Sequence, residues 1–315
     1  WYTPMSEVDL DLCHARIVDA GLDIPHFNFF PRTLCSKEQF VRVAPRLFGL
    51  ASAASTATST SAATVAPGGI TKLVFVHGGS QRAEDVMLFA GCRVKGFQMD
   101  PTISGDVLTA VGHCFSASLQ ELNLTECRDV PSDVLAATVN RLKNLRSLKL
   151  HNALTVNETF VGLLEASPQI VTFGLGLHSN ASHHFTPAAL SALLEKLPSL
   201  EHLHLGGLCD APGKPNSMVA VVGEQYLPRL ETLDMTSCEM VDVAPLARAT
   251  FARTLKKLTL ERNTTRYIHP TTIHGVSVAS LGDLSVFSAL KNLHLDDVGL
   301  DAHALCEILS GCAET

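Results

Sequence analysis

SLEHLHLGGLCD, residues 199–210, sets His202 and His204 two apart among leucines and follows them with Gly206 and Gly207. Such a stretch reads in two ways. The histidines are either ligands or catalysts beside a glycine loop, or they fill variable positions of a structural phrase. Recurrence separates the readings, because a phrase repeated at a near-constant period belongs to the architecture before it does any chemistry. Aligned on its leucines, the stretch becomes Leu200-x-x-Leu203-x-Leu205.

The same frame appears at Leu119-x-x-Leu122-x-Leu124, at Leu145-x-x-Leu148-x-Leu150 and, with substitutions, at Ile170-x-x-Phe173-x-Leu175. It continues at Leu230-x-x-Leu233-x-Met235, Leu255-x-x-Leu258-x-Leu260 and Leu290-x-x-Leu293-x-Leu295. Weaker copies lie upstream at Ile70-x-x-Leu73-x-Phe75 and Val94-x-x-Phe97-x-Met99. Successive starts are 24, 25, 26, 25, 30, 30, 25 and 35 residues apart. A single match would carry little weight; a ladder of nine at this spacing specifies a repeat.

The pattern resembles the leucine-rich repeat family over roughly residues 70 to 312. The resemblance implies an α/β solenoid of about nine repeats, with a curved parallel sheet on the concave face and helices on the convex face. The return segments 134–145, 160–170, 188–200 and 304–312 read as helices, with Thr186-Pro187 and Asn157-Glu158-Thr159 as starts. Helical returns and this period are similar to the intracellular ribonuclease-inhibitor-like and cysteine-containing subfamilies. Extracellular relatives have thinner returns and disulfide-bonded caps. In the family the ninth position of the frame holds Asn or Cys, tying the turn after the strand to its neighbour. Cys127, Cys238 and Asn263 fit that position; Ala153, His178, Leu208 and Val298 depart from it.

Bulk properties agree with a large core. The chain has 315 residues, 46% hydrophobic and 17% charged, with a net charge of −7. That charge gives no general reason to bind nucleic acid or an anionic membrane. No apolar run approaches the roughly 18 residues of a membrane span. Nine cysteines, an odd number with no CxxC pair, read as reduced and mostly buried thiols of an intracellular protein, in the cytoplasm or an organelle. N-x-S/T sequons occur at Asn123, Asn157, Asn180 and Asn263, and Asn263 as a ladder residue makes a poor glycan acceptor. The chain opens on Trp1 rather than Met, as expected of a mature form or a fragment with any targeting segment outside it.

The organisation expected is an aromatic-rich segment (1–50), an Ala/Ser/Thr-rich flexible linker (51–69) and the repeat domain (70–315). Residues 1–50 hold Trp1, Tyr2, Phe27, Phe29, Phe30, Phe40 and Phe48. Two readings of this segment stand side by side: a cap over the first repeat, or a docking segment that anchors Phe27, Phe29 and Phe30 in another protein. The longest interval, 255–290, carries the insertion 261–275 with Tyr267, His269 and His274, either a tolerated surface loop or a partner contact.

In a repeat strand the frame residues face the core, so positions three, five and seven face the concave surface. His202 and His204 take such positions. Neighbouring strands place Thr172, Gly174 and Gly176 on one side and Thr232, Asp234 and Thr236 on the other, about 4.8 Å away per strand. His202, His204 and Asp234 have the chemistry of a two-histidine, one-carboxylate metal cluster beside a glycine hollow. The competing reading is a polar contact surface, which also takes in Asn123, Lys149, Glu231 and His294. A basic run, Arg248, Arg253, Lys256, Lys257, Arg262 and Arg266 against Glu261 alone, is a solvated face or a local contact for phosphate or an acidic protein. His77-Gly78-Gly79 is similar to an oxyanion-hole motif but has no G-x-S-x-G elbow to serve, and GLGLHS at 174–179 lacks the third glycine of a nucleotide loop.

No enzyme signature survives, and neither cofactor nor metal is expected. The family resemblance implies a protein-interaction scaffold, a subunit or assembly factor of a larger complex whose partners are other proteins. Nucleic acid contact is expected only indirectly or through the local basic patch. The partner-binding residues expected are Asn123, Lys149, His202, His204, Glu231, Asp234 and His294 on the concave face. Lys256, Lys257, Arg262, Arg266 and Tyr267 are expected in the basic patch and loop, and Phe27, Phe29 and Phe30 in the aromatic segment. A ubiquitin-ligase substrate adaptor and a small-GTPase regulator are the alternatives; no F-box is recognisable in residues 1–50 and no acidic tail precedes Thr315.

Overall fold

Frame residues from Val94 to Leu260 are at most 1% exposed, while their neighbours along each strand are mostly half-buried or exposed. That alternation is a sheet with one face in the core and one open. A computed structural model describes residues 26–29, 72–75, 82–87, 89–90, 92–99, 103–124, 129–151, 155–176, 185–207, 217–236, 238, 244–261 and 286–296. The chain divides into two compact units, Trp1–Leu145 and Arg146–Thr315. Both are α/β leucine-rich-repeat solenoid.

In the first unit β1 (His26–Phe29), β2 (Lys72–Phe75), β3 (Gly96–Met99) and β4 (Glu121–Leu124) pair in chain order, all parallel. The helices are α1 (Ala83–Met87), α2 (Gly105–Cys114) and α3 (Ser132–Arg141). Ser104 caps α2 by accepting from the Val107 amide, and Gly112 leaves room for Thr138 of α3, whose hydroxyl donates to Leu108 O at 3.5 Å. The strand β1 is an addition to the nine expected. Its register, Phe27 opposite Leu73 and Phe29 opposite Phe75, shows that Ile24-x-x-Phe27-x-Phe29 is a further copy of the frame.

In the second unit β5 (Ser147–His151), β6 (Thr172–Gly176), β7 (His202–Gly206), β8 (Thr232–Thr236), β9 (Lys257–Glu261) and β10 (Asn292–Asp296) pair in the same parallel way. Between them run α4 (Glu158–Leu163), α5 (Pro187–Glu195), α6 (Ser217–Glu224) and α7 (Ala244–Ala247). A recurrent bond sets the register: one carbonyl takes two successive amides of the next strand. Val171 O accepts from Glu201 and His202, Glu201 O from Glu231 and Thr232, and Glu231 O from Lys256 and Lys257.

Both helix starts expected from sequence are present. Asn157 Oδ1 accepts from the Phe160 amide and Thr186 Oγ1 from the Ala189 amide, each at 3.1 Å, with Pro187 in the first turn of α5. The expected helix ends ran too far. The segments 134–145, 160–170 and 188–200 stop being helical at Arg141, Leu163 and Glu195, because the chain must unwind before Leu145, Ile170 and Leu200 can enter the core as the next frame. The ninth-position tie is made by Cys238, whose thiol is buried and donates to Leu205 O at 3.3 Å. Cys127, Asn263, the helix at 304–312, the linker 51–69 and the insertion beyond Glu261 lie outside the described residues.

Candidate functional site

The open face of the second unit is a grid of outward positions fixed by strand register. One row reads Ser147, Thr172, His202, Thr232, Lys257 and Asn292; the next reads Lys149, Gly174, His204, Asp234, Thr259 and His294. The third is His151, Gly176, Gly206, Thr236, Glu261 and Asp296. The neighbours inferred for His202 and His204 from the frame alone are the neighbours observed.

The two histidines take different partners. His202 Nδ1 lies 3.0 Å from Thr232 Oγ1, and His204 Nδ1 lies 3.5 Å from Asp234 Oδ2. Thr236 Oγ1 donates to the other carboxylate oxygen at 2.6 Å. Hydrogen bonding from His204 above all, then from Thr236, and the charge of Lys257 hold the Asp234 carboxyl below the usual carboxylate range, against the opposing effect of burial. The two-histidine, one-carboxylate cluster therefore does not form, because His202 is committed to the row of Thr232. Among the described residues no group of three His, Cys, Asp or Glu is placed to hold a metal.

On the other side of His204 the grid has no side chains at Gly174, Gly176 and Gly206. Lys149 and His151 lean over this gap from β5. A Cβ on Gly174 would meet Lys149 Cγ at 3.2 Å, and one on Gly176 would meet His151 Nδ1 at 2.8 Å. Gly174 is consequently buried although it faces outward. His151 keeps part of its surface open, yet packing of its ring over β6 pushes its pKa down, and Lys149 and His204 push it further.

The remaining expected residues are distributed. Glu231 sits one position before β8 and pairs with Lys256 Nζ at 2.6 Å, which draws its carboxyl below the usual range. Lys257 and His294 are exposed on the open face. Of the basic run's described residues, Lys256 pairs with Glu231, and Arg248 and Arg253 line a hollow of about 670 Å³ with Thr250, Val286 and Ser288. In the first unit Asn123 faces outward on β4 opposite Gln98, its amide oxygen buried without a hydrogen-bond partner. Phe27 and Phe29 fall on β1 with the register given above; Phe30, Arg262, Arg266 and Tyr267 lie outside the described residues.

Sequence reasoning placed the glycine hollow beside His204 but passed over His151 and the covering of Gly174 and Gly176 by side chains of β5. The available signal was Gly at outward positions of two successive frames (Gly174, Gly176, Gly206) next to a frame ending in Lys149-x-His151.

Frame, strand order and return helices define a leucine-rich-repeat solenoid whose open face presents polar side chains on a rigid apolar floor. No protein-family model matches the sequence. No curated protein matches it either. Solved structures do resemble the fold. A chain of the yeast Rad7 and Elc1 complex superposes with a TM-score of 0.54 at 13% identity, covering 96% of this chain and 74% of that one. Internalin C2 of Listeria monocytogenes gives 0.40 at 17% identity, covering 72% of this chain and 80% of its own. A Bacteroides fragilis protein gives 0.41 at 16%; the match covers 61% of this chain and spans 59% of that protein's length. Among the described residues no helix is long and apolar enough to cross a membrane.

Proposed function

We propose that this chain is a non-catalytic protein-interaction scaffold, a subunit or assembly factor of a larger intracellular complex. The observation that carries the reading is the open face of the second unit. Its described side chains are polar, of mixed sign and, buried Thr259 apart, at least partly accessible, and a fully buried apolar core fixes them in register. A preorganised surface of that kind loses little conformational freedom on binding, which favours association. The likeness in fold to a yeast chain solved within a two-protein complex supports the same reading. The register of Phe27 and Phe29 favours an aromatic segment that begins the solenoid over one that docks elsewhere.

The test is affinity purification of the full chain with photo-cross-linkers at His202 and Lys257, and at Arg141 on a return helix for comparison. Co-purifying proteins should cross-link at His202 and Lys257. A Lys149→Glu, Lys257→Glu variant should lose them while keeping its Tm. Recovery of the chain alone and monomeric under gentle conditions sinks the scaffold reading.

A further inference from the structure

The hollow beside α7 belongs to the return side of the second unit, and none of its described lining residues lies on a strand. Arg248, Thr250 and Arg253 come from the turn that follows α7, and Val286 and Ser288 from the segment leading into β10. The turn is tied to the preceding repeat. Thr250 Oγ1 accepts from the Leu227 amide at 3.1 Å and donates to Gln225 O at 3.2 Å. Thr254 Oγ1 donates to Leu230 O at 2.9 Å, and Phe251 between them is fully buried. Arg248 and Arg253 therefore project from a fixed backbone, and both are exposed. Neither guanidinium has a hydrogen-bond or ion-pair partner among the described residues. Among the described residues that line the hollow there is no acid and no aromatic side chain.

We propose that this hollow takes the phosphate of a phosphorylated serine or threonine on a partner protein, held by Arg248 and Arg253 with the exposed Ser288 as a further donor. The proposal rests on the scaffold reading and adds to it a contact on the return side. One guanidinium fork already satisfies both oxygens of a carboxylate, so a single arginine would serve an acidic side chain. Two unpaired forks in one hollow suit a dianion. A phosphate monoester brings nearly two charges and three strong acceptor oxygens, and arginine meets it bidentately. The volume of about 670 Å³ is within the usual range of a ligand site and admits the modified side chain with its neighbours. A free nucleotide would find no aromatic side chain there on which to stack its base. A nucleic acid needs a longer basic track. Here the next cation along the chain, Lys256, pairs with Glu231, and Glu224 stands exposed beside Gln225, whose carbonyl holds Thr250.

The experiment is fluorescence polarisation with the full chain. The probe is a labelled Gly/Ala peptide with one central phosphoserine, run beside its Ser and Glu counterparts. Inorganic phosphate and a single-stranded oligonucleotide serve as competitors. Saturable binding of the phosphopeptide alone is expected, with phosphate competing only at much higher concentration. Arg248→Gln and Arg253→Gln should each weaken it about tenfold, the loss of one charge-assisted contact. Arg248→Lys keeps the charge without the fork and should still weaken binding, which a merely electrostatic surface would not show. Arg93→Gln, at an exposed position in the first unit, should change nothing. Equal binding of the Glu peptide, unchanged affinity in both glutamine variants, or competition by phosphate as strong as by unlabelled peptide overturns the site. Tighter binding of the oligonucleotide than of the phosphopeptide overturns it in favour of a nucleic acid contact. No binding of the phosphopeptide, with partners still cross-linked at His202 and Lys257, removes the hollow and leaves the scaffold. Binding of the peptide by a chain that purifies alone does the reverse.

Discussion

His204 and Asp234 are register partners on β7 and β8, and their side chains meet with Nδ1 3.5 Å from Oδ2. Thr236 takes the second oxygen at 2.6 Å, so the carboxylate is fixed from both sides. Replacing His204 with Asn should raise the Asp234 pKa, and Thr236→Val should raise it less, as seen by carboxyl carbon NMR. A carboxyl whose folded value is depressed adds stability above its unfolded value and loses it as the pH falls through the folded one. The stability gap between wild type and His204→Asn should therefore be open near neutral pH and close in acid. A gap that persists in strong acid would assign the effect to packing instead.

His151 has the opposite charge and the same sign of shift. Burial first, then Lys149 and His204, favour its neutral form in the fold. The unfolded chain then binds the proton more readily, so stability is held above the unfolded imidazole value and falls as the pH drops through the folded one. Lys149→Gln should raise the His151 pKa and shrink that acid-side loss. Proton NMR of the imidazole ring reads this directly, and a His151 pKa unmoved in Lys149→Gln contradicts the arrangement.

What the sequence made legible follows from what repeats. Leu203 and Leu205 announce a strand because the frame alternates core and surface, and the constant register then pairs His204 with Gly174 and Asp234, the partners it has in the fold. Thr186-Pro187 announces α5 because a cap is local chemistry. The strand at Phe27 was missed, since its frame starts 46 residues before Ile70 and breaks the period. The choice of His202 for Thr232, and the leaning of Lys149 over Gly174, depend on side-chain torsions that no period encodes. The ends of helices were overrun because apolar residues continue past them to serve the next strand.

Two helical glycines should respond to alanine with opposite signs. Gly223 in α6 lies under the backbone of Pro245, where a Cβ would sit 2.5 Å from the Pro245 carbonyl oxygen. Gly223→Ala must push α6 and α7 apart and should cost about 1–3 kcal/mol as an overpacking change. Gly162 in α4 is exposed and has nothing within 4 Å of a Cβ. Gly162→Ala should stabilise by about 0.5–1 kcal/mol through helix propensity and reduced chain entropy. Urea titrations of the two variants check both, and equal signs would refute the packing difference.

Lys196, just past α5, reaches back to the preceding repeat. Its ammonium donates to Val161 O at 2.6 Å and to Leu164 O, two carbonyls at the end of α4. A helix of only six residues gains little stability of its own, so the tie matters more than on a long helix. Lys196→Met keeps the stem and removes the donor. It should cost about 1–3 kcal/mol and speed hydrogen exchange at Leu164 and its neighbours in α4. A stable variant with unchanged exchange would show that water replaces the ammonium at no cost.

Thiol labelling separates the units. Burial pushes the Cys92 thiol up to about 11, and the residue is 5% exposed in the first unit. Cys114 is half-exposed, with its thiol raised by partial burial. Cys238, in the second unit, is buried and donates to Leu205 O at 3.3 Å. The thiolate is the nucleophile, so a buried thiol of raised pKa reacts only after its surroundings open. Of these three thiols, iodoacetamide should modify Cys114 first in the native protein. Cys92 and Cys238 should follow only as urea populates open forms, each at the rate its own unit permits. Mass spectrometry of timed digests reads the order, and native-state labelling of Cys92 as fast as Cys114 would place that thiol at the surface and contradict the packing around Phe89 and Val94.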